Sequence, residues 1–496
     1  MTDRELEAML EETFDQLPPQ DDVVEEITPW KKAMNRVLWG LGLCTLTLNF
    51  WMLNYILPAI GMILMVLGFR ALRRENRWMT AAYAVALIRC AYMVVQLFLD
   101  STIWGGAVSQ LAVMQVLRPL LHGVSMLQIL CLWRGLRLIR QKAGLEPGAA
   151  SAFWLLVWWI VMTLLGLAGF AGILVWALLI CYFLIFRGLV KLSRELDNAG
   201  YAVEPAPVKI TDKQAKLIFA LAVAIALGTG FLFFRQYPMN WEPAEPQTSK
   251  VQQVRAELLE LGFPEIVLDD LTEAEILSLE GALDVVTSNQ EHAMNNGRRV
   301  MDVDGTHTHI YTVFDQKELT ITDVAVKLPT QRETWRIIQH FHWTIPPEYY
   351  GTESIEIWRM SSEGWHRQDN WAGRVLYDRE GTVYAAPYYS LGRVSYTQNS
   401  IFWGQSQVTS VFAAFSLPKG GSDYRGYVWY DIQEQVDGYI VDEWINYTHN
   451  TGPWQFPVQT AMEHEMTAGM FSDGPFTTAQ DAIQFYAHRE DPEPLS

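Results

Sequence analysis

Five polar residues stand in or beside stretches that are otherwise apolar enough to cross a membrane. Arg89 falls near the middle of one stretch, Met79 to Leu99, with Gln96 further along it and Asp100 at its edge. Arg118, followed by Pro119, and His122 fall in the next, Leu111 to Trp133. An arginine at bilayer mid-depth costs about 2.5–3.5 kcal/mol on insertion scales, so such a residue usually faces a cavity or a partner. Apart from Asp100, no carboxylate accompanies these cations. Two cations without an internal counter-charge fit an anionic partner: a lipid headgroup, a small ligand, or the helix-end carbonyls that Pro119 frees. The structural alternative satisfies them with Gln96, Gln115, carbonyls or water, or lets Arg118 snorkel to the interface.

Histidines make a second pattern. His307 and His309, and likewise His340 and His342, alternate so that each pair shares one face of an expected strand. Were the two strands neighbours, four imidazole nitrogens could surround a transition metal; the plainer reading is a polar sheet face. Ten of the 20 tryptophans lie after position 235, where exposed rings would stack on sugars and buried rings would form core. No G-x-S-x-G elbow, P-loop or H-E-x-x-H helix occurs, and no cofactor motif is present, so no catalytic residue is assigned. A carboxylate pair for glycoside hydrolysis stays open, because its members are neighbours in space rather than in sequence.

Membrane helices must position the first set. Val37 to Phe69 is 33 residues without a charge, where one crossing needs about 20. Arg36 precedes it and Arg70, Arg73, Arg74 and Arg77 follow. The positive-inside rule places both flanks in the cytoplasm, so the stretch reads as a two-span hairpin. Phe153 to Phe186, 34 uncharged residues between basic flanks, repeats the pattern. Spans are expected over 37–53, 55–69, 79–99, 111–133, 153–168, 171–186 and 217–234, seven crossings with the amino terminus inside. The connection Asp100 to Gly106 lacks Lys and Arg and is expected outside. Residues 1–35 form a cytoplasmic head in which Leu6, Met9, Leu10, Phe14 and Leu17 line one face of an amphipathic helix. The last span carries small residues at intervals of four, Ala220, Ala224, Gly228 and in parallel Ala222, Ala226, Gly230. Such faces allow close helix approach in lipid; the alternative is simply an alanine-rich span.

Composition changes beyond this span. Residues 235–248 are a proline-rich linker expected to be extended. Over 249–297 a helical subdomain is expected, with capping boxes at Ser249/Gln252 and Thr272/Glu275 and with Ile276, Leu279, Leu283 and Val286 on one helix face. Residues 298–496 alternate with period two, and Asp437-Gly438 is the strongest hairpin signal. Together these predict a helical membrane bundle followed by an extracytoplasmic, mainly antiparallel, sandwich-like β domain. Residues 236–496 carry 16 Lys+Arg against 38 Asp+Glu, whereas the preceding part carries 21 against 17. That asymmetry disfavours nucleic acid as a partner of the β domain. All four cysteines lie in the apolar runs, which leaves the β domain to be stabilised by its core and not by disulfides.

The phrases ITPWKKAMNRVLWG, LNYILPAIG and LGFRALRRENRW, within Ile27 to Trp78, resemble an uncharacterised family of polytopic membrane proteins from anaerobic Gram-positive bacteria. The resemblance covers about a tenth of the chain and implies no activity. The layout is also similar to transmembrane anti-sigma factors and surface sensors. It departs from them in lacking the zinc-binding His and Cys pattern over residues 1–35 and in exceeding a single span. The expected function is a bacterial cell-membrane protein that senses or binds something outside. Its expected partners are the bilayer, a cytoplasmic protein at residues 1–35, and a wall polymer or protein at the outer domain. The alternatives are a transporter or membrane-embedded enzyme using the intramembrane Arg and His, and an envelope scaffold.

Overall fold

The computed structural model describes residues 30–45, 48, 50–168, 174–304, 307–358, 364–400, 404–467 and 475–488. The amphipathic helix expected near the amino terminus lies outside them. The chain divides into a helical unit, Met1–Leu99 with Ala107–Gly230, and a β-rich unit, Asp100–Gly106 with Phe231–Ser496.

In chain order the helices are α1 (Trp30–Thr45), α2 (Leu53–Leu72), α3 (Arg77–Leu99), α4 (Trp104–Gln110), α5 (Ala112–Lys142), α6 (Ala150–Leu167), α7 (Leu174–Asn198) and α8 (Asp212–Phe233). Among the described residues, four helices are long and apolar enough to cross a membrane: α2, α3, the Trp176–Asn198 part of α7, and α8. α1 begins at Trp30 and stops at Thr45, earlier at both ends than the expected span. α5 runs on through the basic residues after Trp133, and Pro119 does not interrupt it. α1 and α2 pack backbone to backbone through glycine. A Cβ on Gly40 would lie 2.7 Å from the carbonyl of Gly61, and one on Gly68 would lie 2.9 Å from the carbonyl of Ala33. No side chain fits at either position without separating the helices.

One network gathers the charged helix ends. Asp212 accepts from both Arg36, at 2.6 Å, and Arg70. Arg74 donates to the carbonyl of Pro205 at 3.2 Å. Glu75, almost fully buried, accepts from the Tyr201 hydroxyl and from the backbone N–H of Glu204 at 2.7 Å. Lys142 reaches Glu204 at 3.0 Å and Arg140 reaches Glu195 at 2.7 Å. The basic flanks that set the expected sidedness thus lie at one end of the helical unit.

The β-rich unit contains β1 (Glu242–Pro243), β2 (Asp284–His292), β3 (Arg298–Asp304), β4 (His307–Val313), β5 (Leu319–Lys327), β6 (Thr334–Trp343), β7 (Glu353–Trp358), β8 (Trp365–Arg367), β9 (Ala372–Arg379) and β10 (Thr382–Pro387). It continues with β11 (Ser390–Ser400), β12 (Gly404–Phe415), β13 (Ser422–Glu434), β14 (Val441–Asn450) and β15 (Phe476–Phe485). The larger sheet runs β1-β10-β9-β13-β6-β5-β2, with β8 on β13; the smaller runs β11-β12-β7-β14-β15, and β3-β4 form a separate ribbon. Among the described residues every pairing is antiparallel.

Two faces of the larger sheet are buried. One meets the smaller sheet across a core in which Phe341 lies 5.4 Å from Phe415 and 4.9 Å from Tyr447, ring centre to ring centre. The other is covered by α9 (Gln252–Glu260), α10 (Glu265–Asp270) and α11 (Glu273–Leu277), whose Leu258, Val267 and Ile276 pack with Val324, Val326 and Ile338. β5 is therefore buried without a break from Ile321 to Val326, with successive residues turned to opposite layers. The acidic residue in this stretch is Asp323. It lies opposite Gln339 on β6, both side chains fully buried, and among the described residues neither reaches a hydrogen-bond partner.

Four expectations change. The helix capped by the Thr272–Glu275 box ends at Leu277, and Leu283 and Val286 lead into and lie in β2. Gly281, at φ +73°, makes the turn between them. The Ser249/Gln252 box does not form: Thr248 caps a 3-10 turn, Ser249–Val251, that leads into α9, whose own N-cap, Val251, makes no side-chain cap. The linker is bound in part: Glu242 and Pro243 pair with β10 at the sheet edge, where a missing N–H is tolerated. Asp437-Gly438 is not a hairpin turn, because β13 and β14 belong to different sheets. The backbone N–H groups of Gln435 and Val436 donate instead to the carbonyl of Gly364, and the chain arches across the core.

Candidate functional site

α2, α3 and α5 line an open cavity of about 370 Å³ in the helical unit. Asn54, Tyr55 and Pro58 line it from α2, Arg89, Tyr92 and Gln96 from α3, and His122 and Ser125 from α5. Helical spacing explains the convergence. Residues 89, 92 and 96 repeat at intervals of three and four, and so do 118, 122, 125 and 128, which sets a polar stripe on each apolar helix. Met62, Met93, Leu97 and Leu121 supply the apolar remainder of the wall.

Arg89 donates to the side-chain oxygen of Gln128, a residue with no accessible surface. The Gln128 amide nitrogen is buried without a hydrogen-bond partner among the described residues. The Tyr92 hydroxyl donates to Gln96 at 3.1 Å. Among the described residues no carboxylate forms an ion pair with Arg89. A guanidinium bonded only to a neutral amide keeps its charge and several donors for an anion, and the apolar wall would strengthen that attraction.

The expected residues fare differently. Arg89, Gln96 and His122 line one cavity. The Arg118 side chain lies outside the description, as does that of Gln115. Asp100 belongs to the β-rich unit, where its carbonyl accepts from the Val458 N–H at 2.7 Å. Gln128 was not expected, although its spacing from His122 and Ser125 would have revealed it. On α8, Ala226 and Gly230 are buried and Ala222 half-buried, whereas Ala220 and Ala224 are exposed and a Cβ on Gly228 would meet nothing within 4 Å.

The histidine pairs lie apart in the sheet order. β4 pairs with β3 in the ribbon, whereas β6 pairs with β5 and β13. The neighbouring strands that a four-histidine site requires are not formed. His309 is exposed, and the His307 side chain lies outside the description. His340 meets Asp270 at 2.8 Å and His342 meets Asp423 at 2.6 Å. Asp270 also accepts from Arg425 at 2.8 Å and so ties α10 to the sheet. Burial acts to raise the Asp270 carboxyl, but His340 and Arg425 outweigh it and hold it below the usual carboxylate range. A different cluster, Glu434, Asp437 and His488, brings ligand atoms within 4.8 Å of one another near the surface.

The aromatic and carboxylate questions have structural answers. Trp335, Trp343 and Trp365 are core, and Trp358 stacks on Trp444 at 5.2 Å. Trp454 is exposed, with its ring 4.4 Å from Phe231; Trp403 lies outside the description. Among the carboxylates brought together, Glu356 and Glu465 both accept from the Asn446 amide at 3.1 Å. Their other oxygens accept from Tyr396, Thr448 and Thr478, which ties the pair into the sheet's own hydrogen bonding.

Comparison with protein-family models, curated proteins and solved structures finds no match to this chain.

Proposed function

We propose that the chain is a multi-pass protein of a bacterial cell membrane. In this reading it has seven crossings, a cytoplasmic amino terminus and residues 235–496 outside, and it senses or binds a ligand or partner there and signals inward. The observation that carries this reading is the segment Asp100–Gly106. It is the connection expected outside from its lack of basic residues, and it is folded into the β-rich unit. Ile103 is buried with Tyr237, Ala414 and Val458, and its N–H donates to the carbonyl of Phe234. That bond joins the residues just after α3 to those just after α8, which supports a common outer side for both helix ends. Because α3 also carries Arg89, Tyr92 and Gln96, a change in the β-rich unit has a covalent route to the cavity.

Deleting residues 1–35 tests the signalling part. Transcription or recruitment of a cytoplasmic partner changes while membrane insertion is kept; a deletion that alters neither removes signalling from the account. A second reading, transport of an anion, is favoured by the convergence of Arg89, Gln96 and His122. It requires Arg89→Leu to abolish flux while the protein stays folded, and a variant with undiminished flux eliminates it.

A further inference from the structure

A second cavity, of about 380 Å³, opens where α1, α2 and α8 bring their charged ends together. Lys32, Arg36, Arg70, Lys213 and Lys216 line it, together with two carboxylates, Asp212 and Glu204. The carboxylates are already engaged. Asp212 is shared by Arg36 and Arg70, whose side chains are 16% and 11% exposed, and Glu204 accepts from Lys142. Among the described residues, Arg36, Arg70, Lys213 and Lys216, even without Lys32, leave a positive excess over these two carboxylates on a concave surface.

The depth of these charges is fixed by sequence. Arg36 and Arg70 bound the uncharged run from Val37 to Phe69, and Lys216 directly precedes the apolar run that starts at Leu217. Charges that delimit apolar runs lie at headgroup level. Leu67, Ala71 and Val208 supply an apolar side to the same cavity. A cationic hollow with an apolar flank at this level matches a ligand with a phosphate head and an acyl tail.

We propose that this cavity binds a phosphate-bearing anion, the headgroup of an anionic phospholipid, between α1, α2 and α8. Arg36 and Arg70, held in place by Asp212, form its fixed floor, and Lys213 and Lys216 close on the phosphate from the first turns of α8. The proposal rests on membrane association and is independent of whether the protein signals or transports.

The test uses the full chain in detergent, titrated separately with phosphatidylglycerol, phosphatidylcholine and inorganic phosphate while thermal unfolding is followed. Phosphatidylglycerol raises the unfolding temperature and phosphatidylcholine does not. In a Lys213→Gln/Lys216→Gln variant the apparent affinity falls about 25-fold, at roughly fivefold for each lysine. These lysines are exposed, so the variant folds, and an unchanged elution volume verifies it. A shift with inorganic phosphate equal to that with phosphatidylglycerol assigns the site to free phosphate and keeps its chemistry. No shift with either probe, or equal affinity in parent and variant, overturns the proposal.

Discussion

The backbone N–H of Ile103 donates to the carbonyl of Phe234 at 2.9 Å, and the Ile103 side chain is buried between Tyr237 and Val458. A connection between two helices is thereby part of the core of the β-rich unit. Truncating Ile103 to alanine leaves a cavity and costs about 2–5 kcal/mol. The expected outcome is a lower melting temperature for that unit in the full chain, read by tryptophan fluorescence. An unchanged melting temperature would show that the segment adds nothing to its stability.

Arg89 and Gln128 form a pair whose members should not be separable. Gln128→Leu leaves a half-buried guanidinium without its acceptor and is expected to destabilise by about 1–3 kcal/mol. Adding Arg89→Leu removes the stranded charge and recovers most of that loss. A double-mutant cycle on thermal unfolding in detergent measures the coupling, and strictly additive effects would contradict the pairing.

Asp323 gives a pH signature. Burial, assisted by the nearby Asp481 carboxylate, pushes its carboxyl well above the usual range. A group whose folded pKa is raised in this way holds its proton in the native state. The resulting penalty is absent below about pH 4, where both states are protonated, and grows as pH rises through the unfolded value. Asp323→Asn is therefore expected to stabilise by about 1–3 kcal/mol at pH 7 and to have little effect at pH 4. Denaturant unfolding at the two pH values measures this, and an effect of equal size at both contradicts a buried protonated carboxyl.

Gly68 tests the helix hairpin. A side chain there meets Val37 and the carbonyl of Ala33 at 2.7 and 2.9 Å, so Gly68→Leu forces α1 and α2 apart. The expected cost is about 1–3 kcal/mol or more by overpacking. Gly228→Leu, in the open part of α8, is expected to change thermal stability by no more than about 0.5 kcal/mol. Similar losses in both variants would contradict the assignment of the close contact to α1 and α2.

Much of this architecture was legible because charge and periodicity are strong signals. Arg70 and Lys216 stand within about a turn of helix ends, whereas Arg36 falls inside α1, which begins at Trp30; period-two alternation is plain in the strands that carry Ile337, Phe341, Phe415 and Tyr447. β15 carries a weaker signal, because Asp481 occupies a core-facing position and breaks its apolar alternation. β11 carries little, because Ser395, Thr397 and Gln398 give it no apolar pattern. β2 was hidden by Ile276, Leu279, Leu283 and Val286, whose spacing continues a helix that Gly281 in fact ends. The sheet change at Asp437-Gly438 depends on which strands meet across the core, and local turn chemistry carries no information about that. In the cavity, Arg89, Gln96 and His122 were visible as intramembrane polar residues. Gln128 was not, because a neutral amide in an apolar run stands out only through its helical spacing from His122 and Ser125.

The most direct test is a labelling experiment in intact cells with a membrane-impermeant maleimide. The four native cysteines are replaced by alanine, and single cysteines are placed at the exposed positions Lys31, Lys213 and Glu245. The account predicts that Glu245→Cys is labelled in intact cells, whereas Lys31→Cys and Lys213→Cys are labelled only after the membrane is opened. Labelling of Lys213→Cys in intact cells, or protection of Glu245→Cys, would contradict it.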